Sequence, residues 1–203
     1  STTYYYRIRA YSGGGTSGNS NATTVLTTPG PPLATPATGV STTGFSANWN
    51  ASAGAAGYYL DVSTDAGFTA FVSGFHNRDV GSVLTCAAGV LSPYTRYYYR
   101  VRAYNAGGTS GHSNTVEIFT IPDTPVAGAA TAVTDTGFAA NWSDGSGAAG
   151  YYVDVSTDAG FTALVSGFNN RDVGNVFTCS VTGLSASTTY YYRIRAYSGG
   201  GTS

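Results

Sequence analysis

The feature of this sequence that most restricts its fold is an internal repeat with a period of 93 residues. The stretch YYYRIRAY at residues 4–11 returns with one change at 97–104 and unchanged at 190–197. The other matches keep the same spacing without a gap: DVSTDAGF at 61–68 and 154–161, Trp49 with Trp142, and Cys86 with Cys179. Because equivalent stretches must fold alike, the sequence predicts a tandem array of one structural module.

The repeated tyrosine-rich stretch has the pattern of a β-strand. From residue 97 to 104 the side chains alternate with a period of two, which is typical of a strand with one buried face. We expect the smaller and more apolar set to face a core and the other set to face water. The inward set is Tyr97, Tyr99, Val101 and Ala103, and the outward set is Tyr98, Arg100, Arg102 and Tyr104.

The pattern L-x-P-x-T-x-Y-x-x-R-V-x-A at residues 91–103 resembles strand F of a fibronectin type III domain. The resemblance extends over the whole chain, which is similar to tandem repeats of bacterial extracellular and surface proteins. It implies an all-β fold of tandem fibronectin type III (immunoglobulin-like) β-sandwiches with short Pro-rich linkers. It also implies that the tryptophans of strand B (Trp49 and Trp142) and the tyrosines that begin strand F (Tyr97 and Tyr190) belong to the core.

The repeat and the prolines divide the chain into three parts. Residues 1–28 should be the C-terminal part of a module, with strands F and G, residues 33–121 a complete module, and residues 124–203 a module lacking strand G. Prolines near 29–36 and 122–125 mark semi-rigid linkers between them. In the complete module the predicted strands are A at 37–42, B at 44–50, C at 58–63, C′ within 68–75, E at 83–88, F at 97–104 and G at 114–120.

The composition excludes several classes of partner. Charged residues make up 9% of the chain and the net charge is -1, so neither a nucleic acid nor an acidic or basic partner is implied. No apolar run is long enough to span a membrane. A polar surface of Ser, Thr, Asn and Gly predicts an extracellular or cell-surface protein.

Candidate sites for chemistry are few, and we expect no catalytic, cofactor or metal site. Cys86 and Cys179 should point inward from strand E, either as buried thiols in the core or as crosslinks to another molecule. Asp61, Asp65 and Asp79 could suggest calcium, but they form no calcium-loop motif. Because strand C pairs with strand F in this fold, Asp61 is expected to meet Arg100 or Arg102 across the sheet.

The outward face of strand F is the candidate interface. Tyr and Arg are enriched at binding hot spots, so this stripe could contact a partner, while a solvated face with Arg stacked on Tyr is the alternative. The partners to consider are copies of the chain or further repeats of it, a glycan, or a surface protein. The candidate residues are Tyr98, Arg100, Arg102, Tyr104, Arg193 and Arg195.

The sequence favours a structural function over an enzyme. Loop sequences such as DVSTDAGF are preserved letter for letter, whereas binding loops tend to diverge between repeats. Residues 1–17 and 187–203 are identical, so the chain begins and ends at one phase of its repeat. We therefore predict a segment of an extracellular array that forms a filament, stalk or adhesive appendage. The alternatives are a glycan- or protein-binding module and a spacer attached to a secreted enzyme.

Overall fold

A computed structural model describes residues 1–203 as β-strands, turns and loops, and this all-β structure confirms the predicted fold class. No helix of a length and hydropathy suited to crossing a membrane is present. The chain divides into two compact units. One unit contains residues 1–38, 46–87 and 97–117, and the other contains 39–45, 88–96 and 118–203.

Twelve strands begin within the first 117 residues. Their bounds are β1 Thr3–Tyr6, β2 Tyr11–Ser12, β3 Gly15–Thr16, β4 Thr23–Leu26, β5 Ala34–Thr38, β6 Phe45–Trp49, β7 Gly57–Ser63, β8 Arg78–Gly81, β9 Thr85–Ala88, β10 Arg96–Asn105, β11 Gly108–Thr109 and β12 Val116–Phe119. Strands β1 and β4 form a two-stranded sheet, as do β2 and β3. The order β5-β6-β9 forms one larger antiparallel sheet and β8-β7-β10-β11 another, in which β12 also pairs with β10.

The core of the first unit follows the predicted alternation. On β7 the side chains of Tyr58, Leu60 and Val62 are at most 4% exposed, and Trp49 on β6 is 3% exposed. The indole ring of Trp49 packs against the Tyr58 ring with centroids 5.8 Å apart. Asp61 points to the opposite face of β7, yet it is only 3% exposed because other side chains cover it.

Strand C′ lies later in the chain than predicted. It is β8, which pairs with β7, whereas residues 68–75 are loop apart from one isolated bridge between Phe71 and Ser63. The loop cannot continue as a strand because Phe68 has a φ of 56°, in the left-handed region. Strand A also begins and ends earlier than predicted, at Ala34–Thr38.

Six further strands lie in the second unit: β13 Gly137–Asn141, β14 Gly150–Ser156, β15 Arg171–Gly174, β16 Thr178–Thr182, β17 Tyr191–Ser198 and β18 Gly201–Thr202. Strand β13 pairs with β16, and the second sheet has the order β15-β14-β17-β18. The centre of the core is occupied by Trp142, Tyr151, Val153, Val155 and Val181. The Trp142 and Tyr151 ring centroids are 5.8 Å apart, as in the equivalent pair of the first unit.

Candidate functional site

The outward face of β7 and β10 is organised around the buried carboxylate of Asp61. Asp61 and Arg100 are direct partners in the antiparallel register, which brings the Arg100 Nε to 3.0 Å from the Asp61 Oδ2. The other carboxylate oxygen accepts a hydrogen bond of 2.7 Å from the backbone N–H of Asn77. The Arg100 guanidinium lies 4.0 Å from the centroid of the Phe68 ring, which is a cation–π contact. The predicted cross-strand pair therefore forms, and it also holds the loop of residues 64–77.

The same arrangement recurs around Asp154 in the second unit. Arg193 Nε donates to Asp154 Oδ2 over 2.9 Å, Arg195 lies 3.5 Å from the same oxygen, and the Asn170 N–H donates to Oδ1 over 2.6 Å. Burial acts to raise the pKa of Asp154, but the Asn170 hydrogen bond and the two arginines outweigh it and hold the pKa below its ordinary value. Asp154 is therefore an ionised structural group at neutral pH.

His112 lies beside the first of these clusters, with its Nε2 3.6 Å from Asp61 Oδ2. Burial and the positive charges of Arg100 and Arg102 lower the pKa of His112, against the opposite effect of Asp61. The imidazole is consequently neutral at pH 7 and does not complete an ion pair. No histidine stands at the equivalent position of the first copy, residue Asn19, so the contact is peripheral to the repeated arrangement.

A second repeated contact occupies the end of the stripe. The Tyr104 ring stacks on Tyr59 with centroids 4.6 Å apart, and its hydroxyl donates to Asp79 over 3.0 Å. That hydrogen bond is the main cause of the raised pKa of Tyr104. Tyr197 makes the equivalent contacts with Tyr152 and Asp172, at 4.7 Å between ring centroids and 3.0 Å from hydroxyl to carboxylate.

Most of the predicted interface side chains are thus engaged within the chain. Arg102 lies over the Tyr59 ring at 6.0 Å, while Tyr98 is half-buried and its equivalent Tyr191 is 41% exposed. The arrangement brings together Tyr59, Asp61, Asp79 and Phe68 with the stripe, and of these only Asp61 was expected from the strand register. The sequence signal that could have found the others is their shared 93-residue recurrence.

The aspartates at 65 and 158 act as loop anchors. Asp158 accepts hydrogen bonds from the backbone N–H groups of Gly160, Thr162 and Ala163, the last over 2.6 Å, and from the Ser156 hydroxyl. Those bonds, led by the one from Ala163, lower the pKa of Asp158 to about 2. Asp65 has the equivalent partners, and Asp79 bonds instead to Tyr104 and to the Gly81 N–H. The three aspartates of the first unit therefore serve separate contacts.

We expect Asp158→Asn to change how stability depends on pH. Because the folded pKa of about 2 lies below the ordinary 3.8, the carboxylate stabilises the fold above pH ~4 and this contribution is lost as the pH falls towards 2. The variant should be less stable than the parent at pH 7, and the difference should shrink between pH 4 and 2. Urea unfolding midpoints measured across this range test the expectation. Asp135→Asn, at an exposed position, is the control, and a gap that stays constant with pH would contradict the assignment.

The remaining predicted core residues differ in burial. Trp142 is 6% exposed, Tyr97 4% and Cys179 8%, and burial raises the pKa of the Cys179 thiol. Cys86, at the equivalent position on β9, is only half-buried, so it is less enclosed by the core than Cys179. Tyr190 is also half-buried, and its hydroxyl accepts a hydrogen bond of 3.0 Å from the Ser185 N–H. That contact is the backbone bond typical of a tyrosine corner, in which a tyrosine at the start of strand F bonds to the chain just before it.

The strand orders define the class of protein. Strands β5-β6-β9 correspond to A-B-E, and β8-β7-β10-β12 correspond to C′-C-F-G, which is the antiparallel two-sheet arrangement of immunoglobulin-like β-sandwiches. Residues 123–203 match the family model of the fibronectin type III domain. The fold and this match assign residues 123–203 to the fibronectin type III domains, and residues 30–110 repeat that stretch at the 93-residue spacing without a gap.

Two comparisons extend beyond the single domain. The chain is 33% identical over 226 aligned residues to exoglucanase B of Cellulomonas fimi; the alignment covers 97% of the chain and spans 19% of the length of that protein. Among solved structures, the FN1–FN3 domains of chicken CNTN1 align with 98% of the chain and 72% of that structure, with 19% identity and a TM-score of 0.45.

Proposed function

We propose that the chain is a non-catalytic structural segment of an extracellular protein, in which fibronectin type III repeats act as a spacer. The observation that carries the proposal is the internal engagement of the tyrosine–arginine stripe. Arg100 and Arg193 are bound to buried aspartates, and the hydroxyls of Tyr104 and Tyr197 donate to Asp79 and Asp172. These side chains form the same hydrogen bonds with one another in both repeats. We infer that they stabilise the fold and are not presented to a ligand.

The relationship to exoglucanase B supports a spacer within a larger protein. That protein is named as an enzyme, yet the region similar to the present chain is only 19% of it. We infer that an equivalent array here separates functional parts of a secreted polysaccharide-acting protein. The filament, stalk or appendage predicted from the repeat is a different use of the same modules, and it depends on how modules are joined.

A glycan-binding role is the second candidate, because aromatic side chains lie on the outward face. Tyr59, Tyr98 and Tyr104 are half-buried, so part of each ring is accessible to a sugar. The rings of Tyr59 and Tyr104 are stacked face to face and do not lie side by side. One face of each ring is therefore covered by the other ring and cannot contact a ligand. This geometry favours the structural role.

The experiment is a depletion assay with the 203-residue chain, insoluble cellulose as the probe, and a parallel assay for released sugar. We expect the chain to stay in the supernatant and to release no sugar. Saturable retention that is lost in Arg102→Ala/Tyr104→Ala would overturn the spacer proposal in favour of glycan binding. The matched control is Arg9→Ala/Tyr11→Ala, the same pair one repeat earlier, where Tyr11 is 89% exposed and has no stacked tyrosine.

A further inference from the structure

The compact units of the chain do not coincide with its 93-residue modules. The second unit contains residues 124–203 together with 88–96 and 118–121, which belong to the preceding module. Residues that cluster in one compact unit are packed against one another. Part of the 33–121 module therefore packs, within this unit, against the module that follows it.

The closest approach lies at the turn between β17 and β18. A Cβ added at Gly200 would clash with the carbonyl oxygen of Phe119, the last residue of strand G in the preceding module. The first unit has the same contact at the turn before β11, because a Cβ at Gly107 would clash with the carbonyl oxygen of Leu26. The 93-residue offset relates the two pairs, so this approach of one backbone to another is a repeated feature of the chain.

The turn itself does not require the glycines at positions 107 and 200. Neither of them has φ in the left-handed region, whereas the residue after each does, with φ of 127° at Gly108 and 132° at Gly201. A residue with a side chain can therefore adopt the φ of positions 107 and 200. We attribute the glycine at these positions to the close approach of the other backbone.

The loop between strands B and C completes the contact in both units. In the first unit the Ser52 hydroxyl donates to the carbonyl oxygen of Gly30 over 2.6 Å. The equivalent pair in the second unit is Gly145 and Asp123, where a Cβ at Gly145 would lie 2.5 Å from the Asp123 carbonyl oxygen. We name this loop and the turn together the docking seat of a module. The docking seat comprises residues 52–54 and 105–108 in the first unit and residues 145–147 and 198–201 in the second.

A different side chain closes each docking seat. In the first unit the Asn105 amide donates to the carbonyl oxygens of Thr27 over 3.1 Å and Gly54 over 3.3 Å. In the second unit the ring of Tyr94 lies against Gly147, so closely that a Cβ there would clash with it. One closure is a hydrogen bond and the other is an aromatic contact, while the backbone approach beneath them is the same.

We infer that the docking seat of each module binds the strand-G end of the preceding module in the same chain, and that neighbouring modules consequently move as one coupled body. Relative motion is the usual expectation for neighbouring domains, unless a packed interface restrains it. A spacer with restrained joints keeps its reach. The inference deepens the proposed function and rests on it only for this use, since the docking would be the same in a glycan-binding array.

Backbone NMR relaxation of the 203-residue chain measures whether the modules move together. We expect the amides of β7 and those of β14 to report one rotational correlation time, that of a 20.8 kDa particle. Two shorter and unequal correlation times would show that the modules move independently, and this result would overturn the docking.

Gly200→Val tests the docking seat, with Gly199→Val as its matched control in the same turn. The side chain added at position 200 meets the Phe119 backbone, whereas a Cβ at Gly199 has no atom within 4 Å. We expect Gly200→Val to shorten the correlation time of the β14 amides towards that of a body of half the mass, and Gly199→Val to match the parent. If both variants match the parent, or if both loosen the chain equally, the close approach at Gly200 does not hold the modules together and the inference is wrong.

The first unit offers the same comparison. Gly107→Val should loosen the β4 amides from the motion of β7, and Ala106→Val should not, because residue 106 already carries a side chain in this turn. Retention of the chain on cellulose would refute the spacer role without changing these relaxation results. A failure of the docking and a failure of the proposed function are therefore distinguishable.

Discussion

Replacing Trp49 by Ala is expected to lower the free energy of unfolding of the 33–121 module by ~3–5 kcal/mol. The indole is 3% exposed and packs against Tyr58, so its removal leaves a large cavity in the centre of the core. Single domains are stable by about 5–15 kcal/mol, and the variant should therefore lose a large part of its margin. A denaturant titration that is monitored by hydrogen exchange of the backbone amides of strand β7 measures the loss in this module alone.

Two further variants make the measurement specific. Trp142→Ala should produce a loss of similar size in strand β14, because Trp142 is 6% exposed and has the equivalent ring contact with Tyr151. Thr85→Ala, at an exposed position, should change the unfolding midpoint very little. A Trp49→Ala effect no larger than that of Thr85→Ala would show that strand B does not form the core.

Replacing Asp61 by Ala is expected to cost about 2 kcal/mol, since it leaves two donors without their acceptor. The Asn77 N–H loses a 2.7 Å hydrogen bond and the Arg100 guanidinium loses its ion pair. The cost stays below that of a fully buried pair because the Arg100 side chain is 23% exposed. The loop of residues 64–77 should also exchange its amide hydrogens faster.

A double-mutant cycle isolates the ion pair from the loop contact. Asp61→Asn keeps an oxygen for the Asn77 N–H but removes the charge, so its cost should largely disappear in an Arg100→Gln background. Asp154→Ala repeats the Asp61→Ala measurement in the other unit, because Asp154 accepts the equivalent hydrogen bonds from Asn170 and Arg193. Additive effects of Asp61→Asn and Arg100→Gln would show that the two side chains are not coupled.

Much of the fold was predictable because the strands are governed by local alternation. The inward set of β10 and the Asp61–Arg100 pair both follow from period-two patterning once strands C and F are placed side by side. The prediction for strand C′ was wrong because Phe68 and Phe75 are buried although they lie in a loop. Their burial resembles that of apolar residues in a strand. An alternating pattern cannot distinguish those two cases.

The site was less predictable than the fold, since it depends on side chains that reach across loops. The sequence shows that Asp65 and Asp79 belong to no calcium-loop motif, but it gives no sign that each accepts hydrogen bonds from its own partners within the chain. The left-handed φ of 56° at both Phe68 and Phe161 is equally invisible in the composition, although it turns each ring towards an arginine. Only repetition of these loops without change indicates that their geometry is constrained.

The placement of the arginines bears on resistance to digestion. The chain contains nine basic residues, all arginine, and seven of them lie within β8, β10, β15 and β17. A protease that cuts after basic residues must draw several residues of extended chain into its cleft, and backbone held in a sheet is not available to it. Only Arg7 and Arg9 lie outside strands, so trypsin-like enzymes should cut first at these two residues and leave residues 33–203 whole.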